Sequence, residues 1–131
     1  MKKRLLTDEL RHRLIINGTI GRDIDHVPLV RIFDPAGAAT WLLTELSEGV
    51  EGGADILFGL CDLGFGYPEL GYVSLTELEE VRGRLGIGLE RDTSFRGRAP
   101  VSVYAEAARL PGRIVETEAA LIEAAKRLQQ R

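Results

Sequence analysis

Polar and apolar residues alternate along this chain with two different periods, and the switches between them mark out its elements. Near the start, Leu10, Leu14 and Ile15 recur at helical spacing. Thr7 is placed to cap that helix, Asp8 and Glu9 put negative charge at its positive end, and Asn17-Gly18 reads as its stop. After a polar stretch over 18–27 the period shortens to two. Strands are predicted over 28–33, 40–46, 56–63 and 71–74, separated by Asp34-Pro35, by a loop over 47–55 with three glycines, and by the turn at 64–68. In the second strand Trp41, Leu43 and Glu45 share one face, and Leu42, Thr44 and Leu46 share the other. Apolar residues on both faces place that strand inside a sheet.

The helical period returns after Ser74. Ser74 and Glu77 form a capping box ahead of Leu75, Leu78, Val81 and Leu85, and Gly86 ends the run. Residues 89–95 read as extended and 103–109 as a short helical segment. A helix from 114 or 115 to 130 carries the stripe Leu121, Ile122, Ala125 and Leu128. Tight turns between neighbouring strands dictate antiparallel pairing, because a parallel pair needs a long crossover. The expected fold class is therefore α+β: a single domain, with an antiparallel sheet of about four to five strands, helices packed on one face and a C-terminal helix. The expected boundaries are 1–100 for the α+β domain and 101–131 for a helical C-terminal extension. Trp41, Leu43, Phe58, Leu60, Leu78, Val81 and Leu85 are the expected core.

Composition narrows the classes of function. The 131 residues are 44% hydrophobic and 28% charged, enough apolar material for a packed core, which excludes intrinsic disorder. The net charge of -3 opposes a dedicated nucleic-acid binder. Residues 1–13 hold five bases against two acids, and the other 118 residues sum to -6, so the basic start and the stretch Arg91, Arg96, Arg98 read as solvated faces. No apolar run approaches the roughly 20 residues of a membrane span, and Leu5-Leu6 is too short for a signal peptide after Met1-Lys2-Lys3-Arg4. With one cysteine there is no intramolecular disulfide, and a cytoplasmic location is expected.

Most candidate chemistry dissolves on inspection. Gly64-Phe65-Gly66-Tyr67-Pro68-Glu69 lacks the third glycine and the Lys-Ser/Thr pair of a phosphate cradle and reads as a glycine-rich turn. Cys61, mid-strand, reads as an inert thiol. Asp23, Asp25 and His26 read as a solvated loop, and His12 lies between two arginines. Two polar clusters on strands stand out: Trp41 with Glu45, and Glu90-Arg91-Asp92. Glu90 and Asp92 point one way from a strand and Arg91 the other. A same-face acidic pair suits a divalent cation or acid–base work, and equally a charged sheet edge. Arg91 is expected to turn toward the sheet and pair with a carboxylate such as Glu45.

Leu5-Leu6-Thr7 with Leu10, Thr40-Trp41 with Thr44-Glu45, Phe58-Gly59, the block Glu69-Leu70-Gly71-Tyr72-Val73-Ser74-Leu75-Thr76-Glu77-Leu78, and Glu90-Arg91-Asp92 with Phe95 occur in that order. Together they resemble a family of small bacterial and plasmid or mobile-element proteins, catalogued only as a domain of unknown function (family 2958 of that series). The resemblance spans about residues 5–95. It implies a bacterial or mobile-element setting and carries no activity.

Two readings of function follow. The first is a non-catalytic interaction or regulatory module, docking a protein partner through an exposed sheet face or the C-terminal helix, with self-association open. The second is a metal-assisted hydrolase of phosphate esters or nucleic acid, using Glu90, Asp92 and either Glu45 or Asp62. No cofactor is expected. The candidate binding set is Trp41, Glu45, Glu90, Arg91 and Asp92, and the first reading is preferred because no catalytic constellation converges in the sequence.

Overall fold

The structure is a computed structural model that describes residues 4–21 and 23–131, without the side chain of Arg84; Lys2 and Lys3 of the basic opening lie outside the described residues. Among the described residues the elements run α1 (Asp8–Ile20), β1 (Val30–Phe33), β2 (Thr40–Ser47), β3 (Ile56–Asp62), β4 (Glu69–Ser74), α2 (Leu75–Glu80), β5 (Glu90–Arg91), α3 (Val101–Arg109) and α4 (Glu118–Gln129). The strands form one antiparallel sheet in the order β4-β3-β2-β1-β5. The α+β antiparallel architecture stands, with five strands and a C-terminal helix.

The helices cover both faces rather than one. On the first face Leu14 of α1, Leu75 and Leu78 of α2, and Leu5 and Leu6 of the N-terminal segment pack with Val30, Ile32, Trp41, Leu43, Leu46, Leu57 and Leu89. On the second, Leu42 and Leu60 pack with Val101, Val103, Tyr104, Ala107 and Ala108 of α3, and Leu121 and Ala124 of α4 close over α3. A sheet whose central strands are apolar on both sides must be covered twice, so residues 101–131 supply a full layer.

A β-bulge changes which residues share a face. The β2–β3 register shifts between Leu43 and Glu45, leaving Thr44 as the extra residue. Glu45 then lies opposite Phe58 and Leu46 opposite Leu57, so Leu46 joins Trp41 and Leu43 in the first core while Glu45 crosses to the second face. The bulge is held from both sides: Asn17 Nδ2 donates to Thr44 O at 3.0 Å, and Thr44 Oγ1 donates to Phe58 O at 3.2 Å. A strict period of two cannot show an inserted residue.

Glycines move the helix ends. α1 continues through Asn17-Gly18 to Ile20 because Gly18 is a packing glycine: a Cβ there would lie 2.6 Å from Leu46 O. The stop is Gly21, at φ +92°. α2 ends at Glu80, and the chain then turns through a small hairpin bridged between Arg82 and Gly88. Leu85 sits at its tip with φ +64° and 88% of its surface exposed, and Val81 is exposed too, so both leave the expected core. Trp41, Leu43, Leu60 and Leu78 are buried, and Phe58 is half-buried. His26, expected in a solvated loop, is buried with Nε2 3.0 Å from Gly21 O, and Asp25 accepts from the backbone N–H and, at closer range, the hydroxyl of Ser102 at the start of α3.

Candidate functional site

The five residues expected as a binding set are dispersed. Trp41 is buried in the first core, and the bulge puts Glu45, also buried, on the opposite face. Arg91 pairs in register with Ile32 and so lies on the first face, where its Nε donates to Leu5 O at 2.9 Å. The expected Arg91–Glu45 pair is thereby excluded, since β1 lies between their strands and the two side chains leave opposite faces.

The acids of this segment belong to a cluster on the second face. Glu90 lies opposite Phe33. Asp92 accepts from Ser94 N at 2.9 Å and stands 3.7 Å from Arg31 Nη1. Arg31 also donates through Nε to Glu116 at 2.9 Å, and its guanidinium lies 5.1 Å from the centroid of the Phe33 ring. Arg31 and Glu116 had no signal in the sequence, because their ion-pair partners lie 61 or more positions away. Asp62 is buried and already used: it accepts from Gly64 N at 2.9 Å and from Ile114 N at 3.0 Å. Among the described residues no group of three or more His, Cys, Asp or Glu side chains is arranged to hold a metal ion.

Those two bonds from Asp62 build the most distinctive surface. They pin the β3–β4 turn to the connection between α3 and α4. Gly64 and Gly66 take φ of +88° and +93°, a left-handed backbone that glycine alone adopts without strain. Gly66 sits against Gly112, where a Cβ would come within 2.9 Å of Gly66 O. This folding aims Leu63, Phe65 and Tyr67 outward, with Phe65 80% and Tyr67 81% exposed, and Leu110 of the adjoining connection is 75% exposed. The apolar surface continues along β4 through Leu70 and Tyr72, whose ring lies 5.1 Å from that of Phe58 at 60°.

Single exposed apolar residues are ordinary, but six along one hairpin and its neighbour are informative. The turn at 64–68 was legible in the sequence; its use was not. The available signal was two aromatics alternating with glycines, Phe65 and Tyr67, in a turn where polar residues would serve folding as well. The expected docking face on the C-terminal helix is largely spent, because Leu121 and Ala124 of α4 are buried against α3.

Two of the groups with shifted titration have structural causes. Burial pushes the Cys61 thiol up to about 11, which suits an inert side chain. Glu106 is held down to about 2 by hydrogen bonds from Arg109 and Arg127 and by the charge of Arg131. Arg127 on α4 and Arg131 just past its end thus grip a glutamate of α3 at 2.9 and 2.7 Å, a clamp between two helices.

Fold and surface together define a small three-layered α+β protein with helices on both faces of an antiparallel sheet and an aromatic hairpin left open. The chain belongs to the family described as a protein of unknown function, DUF2958, whose model matches residues 5–115. The match reaches past the 5–95 of the sequence resemblance and takes in all of α3. No curated protein and no solved structure matches the chain.

Proposed function

We propose that this protein is a non-catalytic interaction module, working in the cytoplasm of a bacterial or mobile-element system, whose docking surface is the β3–β4 hairpin with β4. The observation that supports it is the outward projection of Phe65 and Tyr67 from a turn that Asp62, Gly64 and Gly66 hold in shape. Aromatic side chains on a pre-shaped support lose little conformational entropy on binding and dominate interface energetics. The acids of the hydrolase alternative are engaged otherwise: Asp62 holds the hairpin, and Asp92 sits beside Arg31.

The test compares wild type with the double variant Phe65→Ser, Tyr67→Ser as bait in host lysate. A partner retained by wild type and lost by the variant, at an unchanged melting temperature, supports docking at the hairpin. Equal retention of every protein by both baits defeats it.

A further inference from the structure

We infer that β4 pairs antiparallel with β4 of a second copy across a two-fold axis beside Gly71, joining two five-stranded sheets into one. This rests on the reading of the hairpin and β4 as a docking surface and names its occupant.

Register supplies the first argument. Leu75 N donates to Asp55 O at 3.0 Å, which marks that pair as hydrogen-bonded in the β3–β4 ladder. The register then makes Val73/Leu57, Gly71/Gly59 and Glu69/Cys61 the bonded pairs. Leu70 is of the alternate set, so its peptide groups turn away from β3 toward the open side of the sheet, where β4 is the last strand. Within its six residues β4 has no proline, lysine or bulge, the usual devices that stop edges from pairing.

Side chains supply the second. A two-fold axis beside Gly71 sets Leu70 of each copy opposite Tyr72 of the other, an aliphatic–aromatic pair formed twice on one face. Glu69 falls opposite Val73, so no like charges meet. Gly71 meets Gly71, and a Cβ built on that residue touches nothing within 4 Å, so the axis is sterically open. The contact is isologous, as closed homodimers require.

Area supplies the third. Phe65, Tyr67 and Tyr72 together offer about 400 Å² of exposed ring surface per copy. Leu63, Leu70, Leu110 and the strand backbone extend this toward the ~800 Å² per partner of a standard interface.

Sedimentation equilibrium of the full chain across a wide concentration range tests the pairing. The expected result is a species of twice the monomer mass that Leu70→Pro converts to monomer, because proline there removes an N–H aimed at the open edge and no β3–β4 bond. Cross-linking keeps the test independent of that variant's folding. Gly71 against Gly71 is a non-bonded pair with Cα atoms ~4.5 Å apart, within disulfide reach. In a Cys61→Ala background, Gly71→Cys should form a covalent dimer under mild oxidation at least tenfold faster than Glu69→Cys, whose thiol faces Val73. A monomer at all concentrations, or equal cross-linking of the two cysteines, overturns the pairing. If the chain is monomeric while Phe65→Ser, Tyr67→Ser still abolishes a retained partner, self-pairing fails and the docking reading survives.

Discussion

At one edge of the sheet, β5 pairs only two residues with β1, and Glu90, Arg91 and Asp92 are all charged. The N-terminal segment covers it: Arg91 Nε binds Leu5 O, and Leu5 N donates to the buried carboxylate of Glu79 at 3.1 Å. At the other edge, β4 runs six residues and carries Leu70 and Tyr72 outward beside an aromatic turn. Short, charged, covered edges resist association, and long apolar edges invite it. One sheet therefore shows both solutions: the charged β5 segment is covered by the N-terminal segment, and β4 is left as an open apolar edge.

The largest expected effect comes from comparing two glycines that lie directly opposite each other, Gly59 in β3 and Gly71 in β4. A Cβ on Gly59 would sit 2.1 Å from Leu42 O, beside the bulge, so Gly59→Ala must push the central strands apart. We expect it to cost about 3 kcal/mol, the upper end for overpacking. Gly71→Ala, with nothing within 4 Å, should stay within about 0.5 kcal/mol of wild type. Urea melts of both variants measure the contrast; equal losses would mean that the β4 edge is as closed as the centre.

At the covered edge, Arg91→Ala removes the hydrogen bond to Leu5 O and loosens the segment over β5. A bond from a charged donor at a half-buried site is worth about 1.5 kcal/mol. Urea melts should show that loss, and amide exchange should quicken at Leu5 and Asp92, whose N–H groups bond Glu79 and Arg31 respectively. Exchange unchanged at both would separate Arg91 from the cover.

Away from both edges, the α3–α4 clamp makes stability depend on acid. Glu106 has a carboxyl held at about 2 in the folded chain against an ordinary 4.5. A depressed folded value means the unfolded state binds the proton first, so the stabilisation is full above about 4.5 and is lost as pH falls toward 2. The melting temperature of wild type should drop more steeply across that window than that of Glu106→Gln. Parallel curves would remove the clamp from the balance.

How much of this was legible follows from the range of each interaction. The antiparallel strands, the capping residues Thr7 and Ser74, and Trp41, Leu43 and Leu78 of the first core were readable because caps and periodicity act within a few positions. Thr44 defeated the face assignment, since a bulge leaves no trace in composition. Gly18 looked like a stop because its reason for being glycine, Leu46 O, is 28 positions away. Leu85 satisfied helical spacing but follows Gly83 and precedes Gly86, which favour the left-handed turn it occupies. Residues 101–131 looked peripheral because their alanine-rich stripes are thin, yet small side chains are what let α4 close over α3. Arg91 was rightly turned from its acidic neighbours, but its partner is a backbone carbonyl 86 positions away, which no charge pattern reveals.

The smallest expected effect falls on the acids of the β5 edge and bears on the hydrolase alternative. Asparagine at position 92 keeps an oxygen for Ser94 N and loses only the 3.7 Å attraction to Arg31, so Asp92→Asn should cost no more than about 0.5 kcal/mol. Glu90→Gln should cost less. A docking module needs neither carboxylate, and the double variant should melt within about 4 °C of wild type, with Mn²⁺ or Mg²⁺ shifting the two proteins equally. A stabilisation by either ion that appears in wild type and vanishes in the double variant would show cation binding through this pair. That outcome would turn the charged edge into the functional one and reverse the comparison with β4.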